Sequence, residues 1–389
     1  MQYLEKLFGR NEYKSKAQMT FHNMSCEFVC NDTEFGAEQI LKIIGFVNEV
    51  HRRYKHINVP IYFTFGNVRI LDKLSYITFE CICYWLIKEH HHAISLAWNP
   101  EDEIWTQGVF SSPLKIINTL MACKDSQKKF TEKFIFEIYK SHFRRVINPP
   151  KELDENYVGR LQQEVNTFLT SFSIAEKYRN DVVDMIGEIV GNVAEHAQTD
   201  CLLDIDVTTD HWRIDEPKDS EPMYYGVNIV ILNFSDVLFG DKLGDRIRKN
   251  DLFEDSRYIS LKDAYDFHSE FFSDNYLFED FCNLSSLQHK ISGSPEKGLA
   301  GGKGLTSLIE SLQHKSEDST CYLLSGKRVV AFDKELLKYD DGEWLGFNHS
   351  HNFFSELPDK GVIGECLVDF PGTAYNLNFV LKREANPNE

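Results

Sequence analysis

The sequence predicts an α/β protein of two successive domains, residues 1–150 and 151–389, and three observations point there. Residues 61–98 read strand, helix, strand. Asn148, Pro149 and Pro150 interrupt the chain just ahead of a helical stretch. Charge changes at the same place: residues 1–150 hold 19 Lys and Arg against 16 Asp and Glu, a balance of +3, and the remainder hold 23 against 44, a balance of −21, summing to −18.

The elements follow in chain order. Residues 61–66, IYFTFG, are β-branched and aromatic and read as a buried strand, 74–88 as a helix, and 92–98 as a strand ending at Asn99 and Pro100, which together make a β-α-β unit. From Lys124 to Lys151 eight basic residues, among them Lys128, Lys129, Arg144 and Arg145, face three acidic ones. Phe130, Phe134, Ile135, Ile138, Tyr139 and Phe143 fall near helical spacing there, so the expectation is an amphipathic helix with a basic outer face, either simply solvated or docking an acidic partner such as the protein's own acidic half. Beyond the proline pair, 157–172 and 174–198 carry helical periodicity and 201–208 and 227–232 read as strands. Residues 239–297 are polar, acidic and aromatic without a clear strand. A glycine-rich turn, a helix near 306–313 and strands at 320–324, 329–332 and 375–381 complete the chain, with no internal repeat.

With 389 residues, 42% hydrophobic and 26% charged, the chain can bury a sizeable core without disulfides, and collagenous or disordered classes are excluded. The longest apolar run, 77–87, is about half of a membrane span and contains Glu80. No apolar signal core is present in MQYLEKLFGRNEYKSK, so a cytoplasmic protein without a membrane partner is expected. Nine cysteines, at 26, 30, 81, 83, 123, 201, 282, 321 and 366, include no CxxC pair and read as reduced thiols. His90, His91 and His92 read as a polar helix terminus, because adjacent residues of a helix point in different directions and cannot converge on one ion. The negative field of 151–389 disfavours nucleic acid but leaves room for a local phosphate pocket.

The most informative segment is VVDMIGEIVGNVAEHA, 182–197. On a helix Glu188, Asn192 and His196 form one polar stripe, with Val183, Ile186, Val190, Val193 and Ala197 roughly opposite. Gly187 and Gly191 each cost about 1 kcal/mol in helix propensity, which suits a helix that something approaches closely. Downstream, Gly298-Leu299-Ala300-Gly301-Gly302-Lys303-Gly304-Leu305-Thr306 is a glycine-rich turn opening into a helix, where free N–H groups and the positive helix end can cradle phosphate. It is neither a P-loop nor a GxGxxG fingerprint.

Glu188-x-x-x-Asn192-x-x-x-His196, a strand ending near Asn233, Gly302-Lys303-Gly304-Leu305, and Phe370-Pro371-Gly372-Thr373 before a last strand resemble, in order, the N, G1, G2 and G3 boxes of the GHKL ATPase superfamily. The similarity covers about 200 residues, 174–382, and His196-Ala197 is closest to the anti-sigma-factor kinases. It implies an α/β sandwich holding ATP and Mg²⁺ between a mixed sheet and helices. Glu188 would then act on the attacking nucleophile, Asn192 would hold Mg²⁺, Gly301, Gly302, Lys303, Gly304 and Leu305 would serve the phosphates, and Asn233 and Thr373 would lie at the adenine. Two features depart from the pattern: Asn233-Phe234-Ser235 replaces Asp-x-Gly, and 239–297 is longer than a compact lid, so 239–304 reads as a lid with an insertion that serves a partner. The N-terminal β-α-β unit is vaguely similar to a STAS domain, with Asp72-Lys73-Leu74-Ser75 at the turn that carries a regulatory Ser or Thr there. The resemblance implies a slow ATPase acting as a regulatory switch; a Ser/Thr protein kinase of the anti-sigma type and a nucleotide-binding module without turnover are the alternatives. A protein partner is expected beside ATP, and a homodimer is compatible with it.

Overall fold

In the computed structural model, which describes residues 1, 3–20, 24–98, 109, 112–119, 122–148, 156–211, 224–252, 256–292, 304–315 and 321–383, the aromatic and β-branched runs of the first third form a four-stranded sheet. Strands β1 (Met19–Thr20), β2 (Ser25–Cys30), β4 (Ile61–Phe65) and β6 (Ile94–Ala97) lie in that order, with β2, β4 and β6 parallel. A small ribbon pairs β3 (Glu34–Phe35) with β5 (Arg69–Ile70). Three helices accompany them: α1 (Glu5–Arg10), α2 (Ala37–Arg53) and α3 (Lys73–Lys88). The expected β-α-β unit is β4, α3 and β6. Asp72 caps α3, accepting from the Ser75 N–H at 2.7 Å and the Ser75 hydroxyl at 2.8 Å.

The amphipathic helix expected after Lys124 is half right. Helix α4 (Lys124–Ile135) ends at Ile135, and Lys140, with φ 51°, turns the following residues into a hairpin of β7 (Phe136–Tyr139) and β8 (His142–Ile147). The aromatic spacing fits a 3.6 period only while 136–147 is read alone. As strands, these residues gain a ladder with a strand that begins at Cys201, and Arg144 turns from the expected basic outer face into the interior at 1% exposure.

A second sheet contains β9 (Cys201–His211), β10 (Tyr224–Phe234), β11 (Tyr322–Ala331) and β12 (Ile363–Lys382) as well. Its order is β11-β12-β10-β9-β8-β7, and every neighbouring pair is antiparallel, where the resemblance implies a mixed sheet. The sheet thus takes strands from both sides of Pro149 and Pro150. The two strands expected at 320–332 are one strand with a register shift at Ser325–Arg328, and the strand expected at 375–381 is the end of a 20-residue one. Pro371 and Gly372 signal a break, yet the chain absorbs them as an irregularity opposite Ser325 and Gly326.

Both faces of this sheet are covered, which is why β10 reads VNIVILNF without polar alternation. Ile229 and Ile231 of β10 and Leu203 and Ile205 of β9 face a core shared with α5 (Tyr157–Thr170), α6 (Glu176–Asn192) and the later helices. Those are α7 (Asp241–Lys249), α8 (Ser256–Ser269), α9 (Phe278–Ser286) and α10 (Gly304–Lys315). Leu202, Val230, Leu232 and Phe234 face the other way, into a core shared with α2 and α3. Within the expected lid and insertion, Tyr258, Leu261, Phe281 and Leu284 are core residues, so helices of the described segments 239–252 and 256–292 pack on the sheet, while 253–255 and 293–303 lie outside the described residues.

Where α3 crosses the sheet, charge is buried. Lys73 Nζ reaches Asp204 at 2.6 Å, Asp206 at 3.3 Å and the Asn228 carbonyl at 3.0 Å. Arg144 Nε donates to Asp204 at 2.6 Å and its other arm to Glu80, which also accepts from Ser112; His142 Nε2 lies 2.8 Å from Asp204. Lys73, Glu80, His142, Arg144, Asp204 and Asp206 are each no more than 5% exposed. Burial penalises the charge on Asp204, but Arg144, Lys73 and His142 overcome it and hold the carboxyl well below its usual range. Burial likewise opposes charge on His142, yet Asp204 and Asp206 push it up to about 9. Burial raises both Glu80 and Asp206. With Glu137 3.6 Å from His142 Nδ1, three cations thus meet four carboxylates, two of which burial raises, as expected where ions leave water.

Candidate functional site

Helix α6 carries Glu188 and Asn192 one turn apart on a half-buried face, with Val183, Ile186 and Val190 buried opposite. The α-helix ends at Asn192, and Val193–Ala197 form a π-turn closed by the Gln198 N–H on the Val193 carbonyl at 2.9 Å. His196 therefore leaves the straight i, i+4, i+8 stripe; its Nδ1 accepts from Lys242 Nζ of α7 at 3.1 Å. What approaches Gly187 closely is the protein itself: a Cβ there would meet Gln162 Nε2 of α5 at 2.5 Å. Gly191 has nothing within 4 Å.

From the π-turn the chain passes through Gln198 in the left-handed region to Thr199, whose hydroxyl accepts from Asn233 Nδ2 at 3.3 Å. Asn233, 2% exposed, sits near the end of β10 directly opposite Thr373 of β12. Thr373 lies 3.3 Å from Ser325 Oγ, which donates to the Gly372 carbonyl at 3.0 Å and accepts from the Phe239 N–H at 2.9 Å. Gly372 has φ +112°, and a Cβ on it would lie 2.2 Å from the Asn233 carbonyl oxygen, so this close passage of two strands requires glycine. Asn233 and Thr373 therefore meet at one end of one sheet, and Thr199, seven residues beyond Asn192, joins them there. Ser325 and Thr199 were not anticipated from sequence, because they reach Asn233 and Thr373 only through strand pairing.

Helix α10 begins at Gly304, with Leu305 in the core and Thr306 Oγ1 2.8 Å from His289 Nδ1. Gly301, Gly302 and Lys303 lie outside the described residues. Helix α10 packs along α6, and Lys315 at its end pairs with Asp181 near the start of α6 at 2.7 Å. A parallel arrangement would carry α10 past the beginning of α6, so the two run antiparallel and Gly304 lies toward the Asn192 end. Comparison of the chain with protein-family models, curated proteins and solved structures finds no match.

Glu188 and Asn192 offer oxygen donors only, a set that fits Mg²⁺ and not a soft metal. Two cavities lined by described residues lie elsewhere. One of about 340 Å³ sits between α3 and the β11–β12 edge, beside Asp72, Ser75, Tyr322 and Cys366. The other, about 270 Å³, is lined by Arg10, Gly240, Arg248, Asn283, Ser325 and Arg328 and reaches the candidate site only at Ser325. His142, Asp204 and Asp206 also converge, but Lys73 and Arg144 fill their acceptor positions, which makes an ion-pair network and not a cation site. No helix among the described residues is long and apolar enough to cross a membrane.

Proposed function

We propose that this chain is a GHKL-type Mg-ATP-binding protein that acts as an ATP-dependent regulatory switch with slow hydrolysis, fused to an N-terminal STAS-like unit. The reading rests on one observation above the others: Asn233 and Thr373 are cross-strand partners, and Asn233 is bonded to Thr199 just past the helix that bears Glu188 and Asn192. Residues 233 and 373, 140 positions apart in the chain, are thereby neighbours on one sheet, and Thr199 links them to the chain leaving the helix of Glu188 and Asn192. In this reading Asn192 holds the magnesium ion, Glu188 orients or deprotonates the nucleophile, Gly301, Gly302, Lys303, Gly304 and Leu305 serve the phosphates, and Asn233 and Thr373 meet the base. Incubation with γ-labelled ATP tests it: free phosphate supports the switch, label on protein supports a Ser/Thr kinase of the anti-sigma type, and neither product supports a binding module.

A binding role without turnover is the second reading, and Asn233 favours it, since a buried amide already bonded to Thr199 is a weaker adenine partner than a carboxylate. Phosphorylation of the protein's own Ser75 is disfavoured, because Ser75 is 8% exposed and its hydroxyl is held by Asp72. Asn233→Asp is expected to tighten ATP about fivefold, from roughly 1 kcal/mol gained by a charge-assisted bond, and to sharpen the preference over GTP. Calorimetry with both nucleotides decides; no change for either would remove residue 233 from the base.

A further inference from the structure

Outside this site, His51 near the end of α2 and His90 and His92 between α3 and β6 each bring a ring nitrogen within 4.8 Å of the other two. The polar helix terminus expected for His90–His92 is replaced by a turn. Helix α3 stops at Lys88, and His91 takes φ 56°, which reverses the chain and puts the rings of His90 and His92 on the same side. The obstacle that helical geometry places before convergence is thereby removed.

One pair of the three already has the spacing of a metal's ligand shell. His51 Nε2 and His92 Nε2 are 3.2 Å apart. Two nitrogens at ~2.0–2.1 Å from one tetrahedral zinc ion stand about 3.3 Å apart, and the ring centres then stand about 5.2 Å apart. The ring centres here are 4.5 Å apart for His51 and His90, 5.3 Å for His51 and His92, and 6.2 Å for His90 and His92. His92 Nδ1 lies 2.8 Å from the Val59 carbonyl, which can only accept. The proton is therefore on Nδ1, and Nε2 turns its lone pair toward His51, the arrangement by which a backbone carbonyl fixes a ligating tautomer. A hydrogen bond between His51 and His92 would use that lone pair as well, but it gives no reason for a third imidazole. Trp85 walls the cluster, its ring centre 4.0 Å from that of His90.

We propose that His51, His90 and His92 form a tris-imidazole site for Zn²⁺, with the fourth position open to water or an added ligand. Coordination takes a lone pair from each neutral ring and releases no proton; on His51 the hydrogen moves to Nδ1. The ion ties the end of α2 to the approach to β6, so the stability of the N-terminal unit becomes zinc-dependent. This proposal is independent of the nucleotide reading.

The test uses the full chain stripped with chelator, titrated with Zn²⁺ by calorimetry and with Co²⁺ as a spectroscopic probe. The wild type is expected to bind one Zn²⁺ per chain and to give the visible bands of tetrahedral Co²⁺ without thiolate charge transfer. His51→Ala, His90→Ala and His92→Ala should each weaken binding at least tenfold, whereas His91→Ala, whose side chain is exposed, should not. Should the buried His92 variant fail to fold, the half-exposed His51 and His90 variants carry the test. Absent binding in the wild type, equal binding in the three variants, or thiolate bands pointing to the cysteines would each overturn the assignment.

Discussion

Replacing Glu188 by alanine is expected to lower ATP turnover by ~10²–10⁴-fold while nucleotide affinity stays within about threefold of the parent. The asymmetry follows from where the carboxylate stands. Glu188 is half-buried on α6, one turn from Asn192, whereas the residues assigned to the base, Asn233 and Thr373, hang on the sheet. Removing a group that acts on the nucleophile alters the transition state and leaves ground-state binding nearly untouched. Glu188→Gln, which keeps the shape and loses the charge, should fall almost as far. Phosphate release at saturating ATP with calorimetry in parallel checks both variants; full turnover in either would sink the proposed role.

Asp204→Ala should cost about 3–5 kcal/mol of stability, because Lys73, Arg144 and His142 would be left as buried cations without their shared acceptor. Urea unfolding should show the loss as a lower midpoint at unchanged slope. The dependence on pH supplies a second reading of the same network. His142 is raised when folded, so its contribution is complete below the unfolded value of about 6.5 and is lost as pH rises through about 9. At ~1.4 kcal/mol per unit, that loss is on the order of 3 kcal/mol. Asp204 is lowered when folded, so its contribution is present above the unfolded value of about 3.9 and is lost as pH falls below it. In Asp204→Ala both limbs should flatten. An alkaline limb as steep as in the wild type would show that Asp204 does not hold the His142 proton.

The parts of this fold legible in sequence are those whose periodicity is decided locally. The β4, α3, β6 unit, α5, α6 and β10 follow from runs of apolar residues at one period bounded by polar text. Residues 136–147 read as helix in isolation because the hairpin is stabilised by β9, 54 residues beyond its end, a contact that no window contains. The ion network was missed for a related reason. Leu203-Asp204-Ile205-Asp206-Val207 alternates as a strand with one wet face does, and only the arrival of α3 turns that wet face into an interior. At the candidate site, Glu188 and Asn192 were visible as a stripe, but Thr199 and Ser325 enter through strand register. His51 was invisible beside His90 and His92 because the left-handed turn at His91 cannot be read from three identical letters.

The network under α3 also bears on the order in which the molecule can be made. Lys73 and Glu80 leave the ribosome long before their partners: Arg144 is 64 residues after Glu80, and Asp206 is 133 after Lys73. Until those arrive, the two charges on α3 keep water and cannot be driven inward without the full penalty of an unpaired buried ion. The first third of the chain can build its small sheet during synthesis, but it cannot close over that flank of α3. A vacant, hydrated seat is kept for β8 and β9, and the last strand to be added, β12, meets α3 through Asn376 and the Leu74 N–H at 3.2 Å.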